Sequence, residues 1–409
     1  MKKVIAVFLA VCMVFMMAAC SNKSSNTPAA SGSSTPASSG SSGSSAPASS
    51  GSSSSTPAPA GTVKLGGIGP LTGPYANYGV SVSQGAKLAV EEINAAGGIN
   101  GMQVELQYED SQGDPESAVN AYGKLMDWGM ELSLGGVFSG ETASIVAAAM
   151  EDDIMLLTPS GSADAILEGN DKAFRVCFYD SFQGAAAAQY VVDNNMATEV
   201  GVFYQSDLDY SKGLYESFVE RANSIGLTTK EVQTFTNGTN TDFSTQINAL
   251  VNSGVKVVFI PIYAEEASTF LTQAKGKFAD DVYFFGADGL DGILGKVEQD
   301  VTIADNVLML TPFAAEDTAE NVQAFVAAYQ KAFGATPDQF AADGYDAVYI
   351  YKAAVEAAGT TSGEALAKTM QSLKVNGVTG EMTWGADGNT NKPASAILYK
   401  NGEGSVFGN

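Results

Sequence analysis

The chain has 409 residues, with 21 Lys+Arg against 45 Asp+Glu, a formal net charge of −24 at neutral pH. That sign and size argue against nucleic acid or anionic lipid as a partner. The chain contains no histidine, which removes histidine-dependent catalytic triads and His-based metal sites, so no metal or cofactor is expected.

In chain order the first element is a leader. Lys2 and Lys3 precede an apolar run, 4–19, that ends in Met17-Ala18-Ala19-Cys20. Small residues before a cysteine at the first mature position form a secretory cleavage pattern. It is similar to a bacterial lipobox. That resemblance implies a lipoprotein signal peptide at 1–19, acylation of Cys20, and a chain held at the outer face of the bacterial cytoplasmic membrane. The alternative is an uncleaved anchor helix, but a run of about 16 residues falls short of the roughly 20 that span a bilayer. Residues 20–61 are almost wholly Ser, Ala, Pro, Gly and Thr. Such a segment cannot bury a core and reads as a disordered tether with a root-mean-square reach of about 35 Å.

From Thr62 onward roughly 350 residues remain, more than one core usually serves, which predicts two domains. Short apolar runs at 63–68, 104–108, 132–137, 154–157, 200–204, 255–262, 282–285 and 307–310 alternate with amphipathic stretches. Most runs lack alternation, as expected of parallel strands buried on both faces. Val82, Ala86, Ala89, Val90 and Ile93 fall at helical spacing before Gly97-Gly98, and Val322, Phe325, Val326 and Tyr329 do so before Gly334. The pattern predicts a doubly wound α/β architecture, whose ligands bind beyond the carboxyl ends of the strands. The loops there are 69–79, 137–142, 158–163, 205–212, 263–267 and 286–292. Cys177, the one cysteine beyond Cys12 and Cys20, sits in an apolar strand-like run and reads as a buried thiol; no disulfide can form within the folded part.

The stretch 64–115, KLGGIGPLTGPYANYGVSVSQGAKLAVEEINAAGGINGMQVELQYEDSQGDP, closely resembles the opening of leucine/isoleucine/valine-binding proteins, the substrate receptors of ABC amino-acid importers. The resemblance continues through LLTPSGSAD (156–164), FRVCFYDSFQG (174–184), DFSTQINAL (242–250), FFGADG (284–289), DGYDAVYIYKAA (343–354) and VTGEMTWGADGN (378–389). It implies the type I periplasmic-binding fold, with two α/β lobes, three crossing strands and a cleft that shuts on ligand. By that analogy lobe one is 62–180 plus 312–393, and lobe two is 181–311 plus 394–409.

A free amino acid needs an anion site, a cation site and a side-chain pocket. Ser139 follows the run 132–137 and precedes a helix expected near Glu141, where a hydroxyl and helix N-terminal amides can hold an anion. Ser160-Gly161-Ser162 follows the run 154–157 in the same way. The resemblance assigns the ligand carboxylate to Ser139 and Ser162, and the ammonium partly to the Ser160 carbonyl. The ordinary alternative for each serine is a helix cap. Asp288, after the run 282–285, is the leading ammonium partner; the family often carries Glu there, and the alternative is a cap on a helix expected near Leu290. Tyr78, Tyr210 and Tyr263 match aromatic positions that wall the family's ligand, offering an apolar face with a polar tip. Phe138 and Phe340 match pocket-side positions. Phe138 stands where relatives carry a disulfide cysteine, so the pocket departs from the family pattern.

Three other motifs fail as sites and read as turns. Gly67-Ile68-Gly69 opens like a dinucleotide fingerprint, but Gly73 is one place late and Pro70 removes an amide. The stretch 207–213 has its glycine late for a calcium loop, and in 387–392 lysine replaces it. The expected function is a monomeric extracytoplasmic receptor, anchored through Cys20, that passes an apolar amino acid to an ABC permease and its ATPase. The alternative within binding proteins is a receptor for an aromatic amino acid or short amide, in transport or sensing. A lipid-anchored hydrolase lacks both histidine and a nucleophile elbow.

Overall fold

The computed structural model describes residues 61–239 and 241–408. The leader, Cys20 and the tether up to Ala60 lie outside the described residues. Two main sheets organise the rest. The first runs β1 (Thr62–Gly69), β2 (Gln103–Asp110), β3 (Leu132–Ser133), β4 (Leu156–Thr158) and β5 (Ala173–Arg175), with spatial order β2-β1-β3-β4-β5. All its pairs are parallel. The second contains β6 (Glu199–Gln205), β7 (Thr228–Phe235), β8 (Val257–Phe259), β9 (Tyr283–Gly286) and β10 (Val307–Thr311). After a separate antiparallel hairpin of β11 (Lys374–Gly377) and β12 (Gly380–Thr383), the chain adds β13 (Ser395–Lys400) and β14 (Glu403–Val406). The second sheet's order is β14-β13-β10-β9-β8-β6-β7. Its first five strands pair parallel and its last two antiparallel.

Each sheet has a point where the winding reverses: between β1 and β3 in the first, and between β6 and β8 in the second. Crevices at such points are where open α/β sheets bind ligands. The expected doubly wound α/β class is therefore present in both sheets. Helices cover them, among them Ala76–Ala95 against Gln339–Ala358. That pair is unusually close because glycines face it. A Cβ on Gly85 would lie 1.9 Å from the Ala341 carbonyl oxygen, and one on Gly344 2.3 Å from that of Val82. The close approach sets Tyr78 of one helix edge-on to Phe340 of the other, with centroids 4.8 Å apart. A fully buried ion pair, Lys392 to Asp343 at 2.6 Å, fastens the segment leading into β13 to the same helix.

Several expectations need correction. The run 132–137 pairs only at Leu132–Ser133. Gly135 turns the chain away at φ +60°, and Thr142 and Thr158 hydroxyls hold the Gly136 carbonyl. Burial of 134–137 is real, but burial is not strand pairing. The run 255–262 likewise shortens to β8, ahead of Pro261, whose carbonyl accepts the Ser211 hydroxyl at 2.6 Å. The helix expected near Glu141 starts at Ser139. The one expected near Leu290 is a 3-10 turn, Asp288–Leu290, followed by a single helical turn, Ile293–Lys296. Gly67-Ile68-Gly69 is no turn; it lies in β1. Cys177 is a buried free thiol, and burial raises its pKa.

Candidate functional site

Loops from the carboxyl ends of both sheets meet. From the first sheet come Tyr75 and Tyr78 after β1, Phe138 and Ser139 after β3, and Ser160-Gly161-Ser162 after β4. From the second come Tyr210 after β6, Tyr263 after β8 and Asp288 after β9. The helix Gln339–Ala358 adds Phe340.

On the first side the two serine segments form one knot. The Ser139 hydroxyl oxygen accepts from the Ser162 N–H at 3.3 Å and the Ala163 N–H at 3.1 Å. Its own proton is left to donate. Ser139 is also the first residue of the helix Ser139–Ala148, whose first-turn amides have no intrahelical acceptor and favour an anion. Glu141 steadies this corner by accepting from the Phe138 N–H at 3.1 Å and from the Ser111 hydroxyl. The Ser160 hydroxyl donates to the Val137 carbonyl at 2.8 Å, which spends its proton and leaves its hydroxyl and carbonyl oxygens to accept. Gly161 allows no side chain: a Cβ would lie 2.6 Å from Thr142 Oγ1 and 2.9 Å from Thr158 Oγ1. Arg175, fully buried, donates to the carbonyls of Gly161 (3.2 Å), Ser162 (2.6 Å), Ala163 (3.0 Å) and Asp164 (3.4 Å). Its planar fork fixes the path of the whole segment.

On the second side Asp288 is 4% exposed and accepts from the Tyr210 hydroxyl at 2.8 Å and the Gly289 N–H at 2.9 Å. Its own N–H donates to Gln183 Oε1 at 3.1 Å, and its carbonyl accepts from Gln339 Nε2 at 3.2 Å. Burial pushes its carboxyl up to about 6, against the lowering pull of these donors. A carboxylate held this way is poised to gain from a cation.

Aromatic rings join the sides. Tyr210 stacks on Tyr263 at 4.8 Å and 2°. Phe138 lies 4.8 Å from Tyr263 and 5.4 Å from Tyr78. The Tyr78 hydroxyl donates to the Gly289 carbonyl at 2.7 Å and accepts from the Ala264 N–H at 2.9 Å, bridging the two sheets' loops. Tyr75 adds a second bridge, donating to Glu266 Oε1 at 2.5 Å. The ten residues singled out in the sequence thus meet in one place. Sequence reading missed the layer that holds them: Tyr75, Glu141, Thr158, Arg175, Gln183 and Gln339. Tyr75, Glu141 and Thr158 gave a signal, since they sit in the loops 69–79, 137–142 and 158–163 already singled out.

The arrangement offers an anion-binding helix start, a buried carboxylate opposite, and a tyrosine-rich wall between. It has no nucleophile–base pair, and among the described residues no cluster is suited to a metal ion. The periplasmic binding protein family model matches residues 62–402. The chain is 30% identical over 353 residues to Leu/Ile/Val-binding protein homolog 3 of Brucella melitensis, covering 85% of this chain and 93% of the relative. Among solved structures, LivJ of Streptococcus pneumoniae in complex with isoleucine is 29% identical with a TM-score of 0.77, covering 85% of this chain and 99% of that one. The leucine-binding protein LivK of Thermotoga maritima is 27% identical, also at 0.77, covering 85% and 98%. The chain belongs to the periplasmic binding protein family, as a type I member similar to the leucine/isoleucine/valine-binding proteins of ABC transporters, and is a binding protein rather than an enzyme.

Proposed function

We propose that this protein captures a free amino acid with an apolar, branched-chain-like side chain between two lobes and delivers it to an ABC permease and its ATPase. The lobes are 62–180 with 312–393, and 181–311 with 394–409. The observation that carries the reading is the pairing of opposite chemistries. Ser139 and Ser162 at a helix start can receive a carboxylate, and Asp288, buried on the facing side, can receive an ammonium. The side chain would lie against Tyr78, Phe138, Tyr263 and Phe340, which packs edge-on to Tyr78. The relatives' names, and the isoleucine in one solved neighbour, support the same ligand class. Lipid attachment at Cys20 and the tether would keep the receptor near its permease on the outer face of the membrane. Calorimetry with the twenty amino acids on unfolded-and-refolded, ligand-stripped protein tests the reading. Micromolar or tighter binding of apolar members is expected, and failure of all twenty to bind would overturn it.

A further inference from the structure

The segment that carries Asp288 runs on past the site, and from Asp288 to Lys296 it meets the first sheet's side repeatedly. The Asp288 carbonyl accepts from Gln339 Nε2 at 3.2 Å. Asp291, 8% exposed, accepts from the Gln339 N–H at 2.8 Å with one oxygen and from the Gly292 N–H at 2.9 Å with the other. A Cβ on Gly292 would lie 3.1 Å from Asn77 Nδ2, so the backbone there passes close to the helix Ala76–Ala95. Lys296 Nζ then donates to the Pro74 carbonyl at 2.5 Å, across 222 positions, and to Glu265 Oε2 at 2.8 Å. Glu265 and Glu266 lie in the first turn of the helix Ala264–Ala274, and Glu266 accepts from the Tyr75 hydroxyl. Two consecutive acids of one side thus hold two consecutive residues of the other, Glu265 through Lys296 and Glu266 directly. An exposed lysine–glutamate pair alone is worth little. Lys296 differs from such pairs: its side chain is 20% exposed, against 41% for Lys230 beside Glu199 and 50% for Lys256 beside Asp281. Its second acceptor belongs to the opposite side and sits on a proline, whose ring fixes φ. Glu265 aims the ammonium from its own side, so little freedom is left to lose when the Pro74 carbonyl arrives. Favourable placement at the end of the turn Ile293–Lys296 explains a cation there, but not its bond to the loop that leads into the opposite helix.

We propose that Lys296 is a clasp: aimed by Glu265, it grips the Pro74 carbonyl once the two sides meet, and so sets how long the ligand stays without choosing which ligand enters. This rests on the amino-acid reading and deepens it. Lys296 is a positioning residue, acting through the segment 288–296 that also carries Asp288. A ligand that fixes Asp288 fixes the start of this segment, and the clasp fixes its end. The contact with Pro74 forms only after the sides have come together, so its loss shows in dissociation rather than association.

The test is a chase of labelled L-leucine from wild type, Lys296→Met and Lys296→Arg, with isoleucine and valine run in parallel. If wild type prefers other members of the twenty amino acids, those take their place. Association rates by rapid mixing and thermal melts of the ligand-free proteins accompany each chase. Methionine keeps an unbranched stem and deletes the charge, whereas arginine keeps both. The expected result is dissociation about fivefold faster in Lys296→Met, by the same factor for each amino acid, with association within about twofold of wild type. Lys296→Arg should restore slow dissociation, and the ligand-free melting temperatures should match. Dissociation unchanged in Lys296→Met overturns the clasp and leaves the amino-acid reading standing. So does a lower ligand-free melting temperature with slower association, which assigns Lys296 to the folding of its own side. A factor that differs among the amino acids also overturns it, by placing Lys296 in the choice of ligand. Wild type that binds none of the twenty amino acids overturns both readings. Glu265→Gln supplies the same comparison if the methionine variant does not fold.

Discussion

Replacing Asp288 by asparagine should move ligand affinity and ligand-free stability in opposite directions. Burial raises the Asp288 carboxyl from 3.8 to about 6 in the folded protein. Between those values the folded state binds more protons than the unfolded one, so stability falls as pH rises from about 4 through about 6. At about 1.4 kcal/mol per pH unit, an ionised Asp288 costs the ligand-free fold roughly 3 kcal/mol at neutral pH. Asparagine keeps an oxygen for the Tyr210 hydroxyl and the Gly289 N–H without the charge. The variant should therefore melt at or above wild type at pH 7.5, and the gap should shrink to about half at pH 5 and close only near pH 4. Binding goes the other way. A buried ammonium deprived of its counter-charge loses about 2–5 kcal/mol, roughly thirtyfold in affinity at the lower end. In wild type the proton competes with the ammonium, so affinity should weaken as pH falls below about 6. Calorimetry and thermal melts at pH 7.5 and 5 measure both. Wild-type affinity in Asp288→Asn would refute the ion pairing. A lower melting temperature with binding intact would assign Asp288 to capping the 288–290 turn.

Tyr78→Phe removes the hydroxyl that joins the Gly289 carbonyl to the Ala264 N–H across the two sheets' loops. Affinity should fall by about 1–3 kcal/mol, because both groups are left unpaired in the closed form; unchanged calorimetry would show that the bridge is absent when ligand is bound. Gly161→Ala places a Cβ 2.6 Å from Thr142 Oγ1. It should cost about 1–3 kcal/mol of stability by overpacking and weaken binding as the serine knot shifts, and a melt identical to wild type would count against the tight fit. Cys20→Ala should abolish labelling by radioactive fatty acid and leave the protein in the medium or as unprocessed precursor; persistent labelling would contradict the lipobox reading.

The fold was legible where the physics of burial is local. Parallel strands covered on both faces read as apolar runs, and β1, β6, β9 and β10 lie where such runs fall. The same criterion is blind to an edge strand. In β7, TTKEVQTF alternates exposed and partly covered positions and offers no run, while β14, EGSV, has a single apolar residue. It also overreaches at 134–137, where residues are buried as a loop because Gly135 at φ +60° ends the pairing.

The site divides along a similar line. Ser139, Ser162 and Asp288 were singled out because each follows an apolar run and carries chemistry suited to a zwitterion, conditions readable from nearby residues, with the family resemblance assigning the serines' role; Tyr210 and Tyr263 came from that resemblance alone. The groups that position them satisfy no local condition. Gln183 reaches Asp288 across 105 positions, and Gln339 reaches it across 51. Arg175 looks like a lone charge in an apolar strand until its guanidinium is seen gathering four consecutive carbonyls of 161–164. Asp180 is the sharpest case. At a helix start an aspartate is an ordinary residue, and nothing in the sequence distinguishes it from Asp209 at the start of the neighbouring helix. Asp209 is exposed, whereas Asp180 is fully buried.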